Sequence, residues 1–494
     1  NHGEEFRCLS LTLGSKHPAA NPCATRSSRR TAMSRTPLRR PRWLVALAAI
    51  GAILLSPVSR GSADDNWATP LATKLGVTLE KSFDSTGPDA WDPKKHPLVF
   101  VTTEGPGYGG LLSGVTLPGI AIVDADSREV VTSQHYDVLA WGWKNVFEDH
   151  GVGVSPDGKW IYLPTGEGTF GTMGFGRLLI INARTLKLDK VLHTNGNPHH
   201  AKVLNTPDGR HLVMSYGWGQ PLFVLDPAQD NKVVGGLDFN DIGIDTYLYF
   251  ASPDGQEIIA GGRFRDNAAR KDTFGNIMVR ISTKDWRVTG TIPIQESTPV
   301  WVAFSADDKY AYFTGAVTSR VFKYDRKADK IVGVARAGVE GPYGAHFGWN
   351  DKDLYVIGKG EESHNRGKVV GFIDTALMEK SERPVDQFVT NCIRGDHGIL
   401  HPDPDANELW ISCNSSFEVV VFDLDQKQVT KRIPMPNGGS SHSGAFVKYD
   451  GWSGDVLSDQ NGLHGSALKK KRELLGIRDV GSNVQGAPAP AGKM

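Results

Sequence analysis

Short runs of β-branched and aromatic residues alternate with tight-turn sequences along most of this chain. The turns read SPDG, TPDG, SPDG and SADD at residues 155–158, 206–209, 252–255 and 305–308, with looser versions at Asp351, Pro404 and Asp450. Short apolar runs bounded by Gly, Pro, Asn and Asp are typical of strands rather than helices. The repeat of about 48 residues has the length of a propeller blade. The pattern therefore predicts an all-β fold, a seven-bladed β-propeller.

The two ends of the repeat region each hold part of one blade. The run at 441–447 resembles a first strand, but no further strands of its own are predicted after it. The runs at 97–101, 119–123 and 129–131 resemble second, third and fourth strands that lack a first. Because joining them pairs strand edges that would otherwise be exposed, we expect the N-terminal strands to close the last blade.

The first 63 residues have the pattern of an export leader, with Met33 as the expected true start. Arg39 and Arg40 precede an apolar stretch at 43–55, and small residues at 61–63 offer a cleavage site. The stretch is too short to span a bilayer comfortably. We therefore expect a periplasmic protein without a membrane span in its mature form, and the arginine pair indicates the twin-arginine route.

The remaining chain divides into a propeller at 64–465 and a flexible C-terminal tail at 466–494 in this interpretation. Lys plus Arg and Asp plus Glu each number 55, so the formal net charge is zero. This balance indicates neither a nucleic-acid surface nor disorder.

Six of the fifteen histidines occur at matching places in the repeat. Five precede a turn, and one follows the last turn: His150, His200, His346, His397, His442 and His464. The first strand of each blade lines the central channel, so these side chains are predicted to form a ring near one mouth. Blade 3 has Asp245 at the corresponding place, and blade 4 has the apolar sequence Pro299-Val300-Trp301.

A ring of imidazoles favours a metal site. A single strand histidine is more often an ordinary core or surface residue. Five histidines at one level, however, would leave buried hydrogen-bond donors and acceptors without partners, at a cost of about 1–3 kcal/mol for each group. Six imidazoles exceed what one zinc binds, and haem would use only one or two. Several copper ions sharing imidazoles fit the number of ligands better.

Cys392 and Cys413 flank one predicted hairpin near His397. In an oxidising compartment a disulfide is the expected state of two such cysteines. The alternative is a thiolate ligand for copper.

The export signal, the seven blades and the first-strand histidines together resemble the catalytic domain of nitrous oxide reductase. They resemble more closely the copper-dependent thiocyanate dehydrogenases, over about residues 64–472. The resemblance implies a centre of about three copper ions held by six histidines and one aspartate. The implied histidines are His150, His200, His346, His397, His442 and His464. The aspartate is either Asp245 or Asp266.

The implied activity is oxidation of thiocyanate to cyanate and sulfur, with two electrons passed to an external acceptor such as a c-type cytochrome. No cysteine pair for an electron-entry copper domain follows His464, which agrees with an external acceptor. Catalytic roles fall by resemblance to His199, Asp245 and Glu104, whereas no lysine occupies an evident matching place. By analogy alone, the assembly is a homodimer.

Basic residues on the loops near the channel mouth are expected to guide an anion, or simply to form a solvated rim. They are Arg263, Arg265, Lys271, Lys359 and Arg366. Three other functions stay open: a copper reductase similar to nitrous oxide reductase, a haem d1 propeller, and a propeller that serves as a binding scaffold without catalysis.

Overall fold

The structure is a computed structural model that describes most of residues 67–477. The main gaps are 104–116, 142–145, 148–149, 168–175, 218–220, 265–276 and 361–367. The predicted leader lies outside the described residues. No helix in the described part of the chain is long and apolar enough to cross a membrane.

Seven antiparallel sheets form a seven-bladed β-propeller, as the sequence predicts. Blade 1 contains β5 (Val146–Phe147), β6 (Gly153–Val154), β7 (Trp160–Glu167), β8 (Gly176–Asn182) and β9 (Leu188–Thr194), with β1 (Thr78–Ser82) outside β9. Blade 2 contains β10 (Pro198–Asn205), β11 (His211–Gly217), β12 (Leu222–Asp226) and β13 (Lys232–Leu237). Blade 3 contains β14 (Ile244–Ala251), β15 (Glu257–Phe264), β16 (Ile277–Ser282) and β17 (Arg287–Pro293).

The other four blades follow the same order. Blade 4 contains β18 (Pro299–Phe304), β19 (Tyr310–Gly315), β20 (Arg320–Asp325) and β21 (Lys330–Arg336). Blade 5 contains β22 (Pro342–Phe347), β23 (Asp353–Gly358), β24 (Val369–Asp374) and β25 (Asp386–Val389). Blade 6 contains β26 (Gly395–Leu400), β27 (Glu408–Cys413), β28 (Glu418–Asp423) and β29 (Gln428–Pro434). Blade 7 contains β30 (Gly444–Asp450), β2 (Pro97–Thr102), β3 (Gly119–Asp124) and β4 (Glu129–His135), with β31 (Ser453–Asp459) and β32 (Gly462–Leu463) on the other edge of β30.

The tight turns are held by their own side chains. In blade 1, Ser155 Oγ donates to Asp157 Oδ1 at 2.7 Å and accepts the Trp160 N–H at 2.9 Å. Gly158 takes the left-handed conformation, with φ of 71°, which costs glycine little. The same side-chain bonds recur in the turns of blades 3 and 4. The sequence motif therefore ends the first strands of blades 1, 3 and 4 in the same way.

Blade 7 is closed by strands from both ends of the repeat region, which confirms the prediction. Strand β30 pairs with β2, and Val101 lies opposite Gly444. The expectation that blade 7 has no later strands is wrong, because β31 and β32 pair on the inner edge of β30. This hairpin contacts β10 and β26 and so lies in the channel.

Within the described residues, two short α-helices accompany the sheets, α1 (Pro70–Lys74) and α2 (Gly465–Leu474). Helix α2 lies across the turn end of the channel. Lys471 Nζ donates to the Gly348 carbonyl and pairs with Asp351, both at 2.9 Å. Arg472 pairs with Asp308 at 2.9 Å. The predicted flexible tail therefore begins instead with a helix anchored to the turns of two blades.

Candidate metal centre

Five histidines from four blades lie together in the channel, near the end opposite the turns. They are His150, His199, His200, His397 and His442, and each is 4% exposed or less. The ring centres of His150 and His199 are 3.8 Å apart, and those of His150 and His442 are 4.0 Å apart. The rings of His200 and His397 are separated by 4.8 Å.

The ligand atoms of this cluster form two groups that share one residue. In the first group, nitrogens of His150, His199 and His200 lie within 4.8 Å of one another. In the second, His150 and His442 meet the carboxylate of Asp396 within the same limit. Each group offers three donors of the kinds that divalent transition metals bind. The shared imidazole places the two positions side by side.

The backbone around His150 is fixed by the neighbouring blades. Thr102 Oγ1, at the end of β2, donates to the His150 carbonyl at 2.7 Å and accepts the Val152 N–H at 3.1 Å. On the other side, the Gly151 N–H donates to the His199 carbonyl at 2.7 Å. His150 is therefore held between blade 7 and blade 2.

Glycine at position 151 is required by the packing of the next blade. A Cβ atom added there would lie 2.0 Å from Nδ1 of His200. Gly398 has the same role towards the preceding blade, since an added Cβ would lie 2.9 Å from the His346 ring. The repeated His-Gly pair thus leaves room for an adjacent imidazole.

Asp396 is the buried carboxylate of the site, and the sequence reasoning missed it. Its side chain is fully buried. Its Oδ2 accepts hydrogen bonds from His442 Nδ1 and Asn414 Nδ2, both at 2.9 Å. Burial alone would raise the pKa of this carboxyl group, but His397, Lys359 and the hydrogen bonds lower it well below its usual value. Asp396 is therefore an anion at neutral pH.

Lys359 belongs to the site and not to a solvated rim. The lysine is 4% exposed, and its Nζ lies 3.1 Å from Asp396 Oδ1. The same ammonium lies 4.0 Å from the ring centre of Tyr343. The sequence shows no lysine at an evident matching place and assigns Lys359 only to the basic residues near the channel mouth. Because Lys359 follows β23, the second strand of blade 5, and Asp396 begins blade 6, their contact depends on blade packing that no local motif reveals.

Asn414 links the carboxylate to the disulfide. It follows Cys413, which is bonded to Cys392 with an S–S length of 2.03 Å. The Asn414 amide nitrogen contacts Nδ1 of His442 at 2.8 Å as well as the carboxylate of Asp396. The predicted disulfide is confirmed, and in this state neither sulfur is available as a thiolate ligand.

Four histidines of the cluster are neutral at neutral pH. Burial lowers the pKa values of His150, His199 and His200 well below the usual imidazole value, and the surrounding cationic groups lower them further. Burial also lowers the pKa of His397, although Asp396 opposes the effect. Neutral imidazole is the form that binds a metal. Nε2 of His397 is buried without a hydrogen bond from the described residues, as expected of a nitrogen placed for a metal.

The structure does not bring His346 into either ligand group. His346 lies deeper in the channel, where its Nε2 accepts the Gly398 N–H at 3.0 Å. Its ring is 5.3 Å from Trp301, and burial lowers its pKa to about 3. A metal could reach Nε2 only if the bond from Gly398 were broken.

His464 lies far from the cluster. Its Nε2 lies 2.7 Å from Asp459 Oδ1, and its Nδ1 lies 3.3 Å from Asn205 Nδ2. Asn205 ends β10, five residues after His200, which corresponds to about 16 Å of extended strand. The predicted ligand is thus at the turn end of the channel.

The remaining predicted site residues either belong to neither ligand group or lie outside the described residues. Asp245 lies in β14, half-buried, and belongs to neither ligand group. Glu104 and Asp266 lie outside the described residues, as do Arg265, Lys271 and Arg366. The backbone of Arg263 is in β15, opposite Asp245.

On the side of the channel formed by blades 3, 4 and 5, aromatic side chains lie at the level of the histidine cluster. The Tyr343 ring lies 5.2 Å from that of His397, and the Trp301 ring lies 5.1 Å from it. Tyr247 lies 5.8 Å from His199, and its hydroxyl is hydrogen-bonded to that of Tyr343. The cluster therefore has an imidazole side and an aromatic side, with Lys359 beside the latter.

Comparison with known proteins supports the fold. No protein-family model and no curated protein matches the chain. Among solved structures, the periplasmic gluconolactonase PpgL of Pseudomonas aeruginosa is similar at 16% identity, with a TM-score of 0.50, over 71% of this chain and 98% of that one. The dihydro-heme d1 dehydrogenase NirN matches at 14% identity and a TM-score of 0.48, over 79% of this chain and 77% of that one. Hydrazine synthase of Kuenenia stuttgartiensis matches at 16% identity and a TM-score of 0.47, over 69% of this chain and 99% of that one. Likeness at these identities shows the fold alone.

Proposed function

We propose that this protein is a copper-dependent oxidoreductase that oxidises thiocyanate to cyanate and sulfur. The observation that carries the proposal is the pair of ligand groups that share His150, built from four buried imidazoles and the carboxylate of Asp396. Two adjacent positions rich in neutral imidazole favour copper over a single zinc ion. Bound copper would supply acceptors for two electrons, one at each ion.

The first group would be held by His150, His199 and His200, and the second by His150, His442 and Asp396. His397 adds a further nitrogen beside both groups, since its Nδ1 lies 3.3 Å from Asp396. In this proposal His199 is a ligand rather than a proton acceptor. Glu104 and Asp245 remain the proposed carboxylates for proton transfer.

The charge of the site suits a small anion. Thiocyanate and water yield cyanate, sulfur, two protons and two electrons, so the carbon–sulfur bond breaks as a carbon–oxygen bond forms. The ammonium of Lys359 is buried beside the ligand groups and paired with Asp396; with a metal ion bound at that carboxylate, its charge would be available to attract an anion where water is excluded. The aromatic side of the channel, with Trp301 and Tyr343, suits an anion that gives up its hydration shell readily. The electrons would pass to an external acceptor, proposed to be a c-type cytochrome.

The test is elemental analysis of the protein purified without chelator, followed by thiocyanate-dependent dye reduction. We expect about three copper ions per chain, by resemblance, and at least the two that the ligand groups can hold. His150→Ala should remove most of the copper and the activity, whereas the control His464→Asn should keep both.

The alternatives give different results in the same experiment. Copper together with inorganic sulfide, but without thiocyanate turnover, would indicate a reductase similar to nitrous oxide reductase. A strong visible chromophore that acid extracts would indicate haem d1. Absence of copper after reconstitution would refute the metalloenzyme and leave the binding scaffold.

A further inference from the structure

A second polar region lies in the channel below the histidines, on the hairpin of β31 and β32. Ser458 is fully buried, and Gln460 is 2% exposed. Within the described part of the chain, neither amide atom of Gln460 has a hydrogen-bond partner, nor does Ser458 Oγ or Asn461 Oδ1. Buried polar atoms in proteins are nearly always hydrogen-bonded, to protein or to ordered water.

A cavity of about 50 Å³ lies beside these groups. Gln460, Asn461 and His346 line it together with apolar residues of blades 4 and 5, including Val302 and Ala345. A water molecule needs about 10–15 Å³ of such space, so the cavity holds about three. It is too small for most metabolites.

We propose that this cavity is a binding site for a cluster of about three ordered water molecules. Gln460 presents a donor and an acceptor, both unmet, and only a ligand that both donates and accepts can satisfy them. Water does so, whereas a simple anion or cation does not. The nearby cation Lys471 is already bonded to Gly348 and Asp351 and requires no counter-ion.

The cavity is separated from the metal centre by one layer of side chains. Nε2 of His346 accepts the Gly398 N–H, so the neutral ring carries its proton on Nδ1 and can donate to a water. Gly398 follows His397 directly, and the Trp301 ring contacts the rings of both His346 and His397. The water site does not rest on the proposed function.

The water site is tested on the full chain by a high-resolution crystal structure, with and without copper. We expect two to four ordered waters, at least one within hydrogen-bond distance of Gln460, in both forms. Gln460→Leu should lose these waters and lower the melting temperature by several degrees, because Asn461 Oδ1, which also lines the cavity, loses its water partner. The control Gln426→Leu alters an exposed turn residue that bonds Asp423 and should leave the waters in place. An empty cavity, or a Gln460→Leu variant that melts higher than the parent, would overturn the site.

Discussion

Replacing Lys359 by Met should destabilise the metal-free protein much more than the copper-loaded protein. The substitution keeps the length of the side chain and removes its charge. Asp396 is then a buried anion that has lost the ammonium at 3.1 Å. Removing one member of a buried ion pair costs about 3–5 kcal/mol. Because Asn414 and His442 still donate to the carboxylate, we expect the lower end, about 3 kcal/mol.

Copper bound at Asp396 would supply the missing positive charge. The loss of stability in the loaded protein should therefore fall below about 1 kcal/mol, the range of ordinary substitutions. The assay is urea unfolding of parent and variant, each copper-free and copper-loaded, followed by tryptophan fluorescence.

The matched control is Lys323→Met, in blade 4. Lys323 is also a buried lysine, and its Nζ lies 2.8 Å from a carboxylate oxygen of Glu379, outside the metal site. Lys323→Met should lower the free energy of unfolding by the same amount with and without copper. The reasoning fails if Lys359→Met is as stable as the parent without copper, or if copper leaves its deficit unchanged.

Four further predictions concern the cluster and its surroundings. Gly151→Ala should lower copper binding and cost about 1–3 kcal/mol of stability, because its methyl group would meet the His200 ring; equal copper content by elemental analysis would contradict this. Acid should destabilise the copper-free protein. The pKa values of the buried histidines are lower in the folded state than the unfolded-state value of about 6.5. Their contribution to the free energy of unfolding is therefore complete above that pH and is lost as the pH falls below it. Urea midpoints between pH 8 and pH 4 should therefore decrease, and a flat profile would refute the burial of neutral rings. Cys392→Ser combined with Cys413→Ser should lower thermal stability and copper affinity together, whereas loss of stability alone would separate the disulfide from the site. His464→Ala should leave the copper content unchanged. Loss of a copper ion in this variant would show that His464 is a ligand.

Much of the fold could be predicted because each blade repeats the same local signals. The Ser-Pro-Asp-Gly turn specifies its own hydrogen bonds, so the strand level in each blade follows from the sequence. Closure by the N-terminal strands could be predicted as well, since an incomplete blade at each end leaves complementary edges. The predicted clustering of histidines rests on the same regularity.

The composition of the cluster could not be predicted fully, because it depends on strand irregularities. Successive residues of a regular strand point to opposite faces, yet His199 and His200 both face the cluster. The β10–β11 register shifts between Pro198 and His200. A similar shift between Gly395 and Gly398 brings Asp396 and His397 to the same site. A signal for Asp396 existed in the Asp-His-Gly sequence that it shares with residues 149–151.

The prediction for His464 depended on a hairpin that the sequence does not reveal. The resemblance placed His464, which follows the last turn, in one ligand set with the other histidines. Instead β31 and β32 fold back inside the channel, and His464 remains beside Asn205 and Asp459. The apolar spacing of this short segment resembles that of an ordinary loop.

The pairing of β2 with β30 gives the propeller a seam, and the histidine cluster lies across it. His442 lies two residues before β30, while the backbone at His150 is tied to the end of β2 through Thr102. A nascent chain exposes His150 long before His442 exists, so the shared ligand group is completed only when the ring shuts. A metal ion that binds only the closed ring would stabilise the closed ring relative to the open chain. Truncated or half-folded chains would accordingly bind copper weakly, so metal loading would follow the completion of folding.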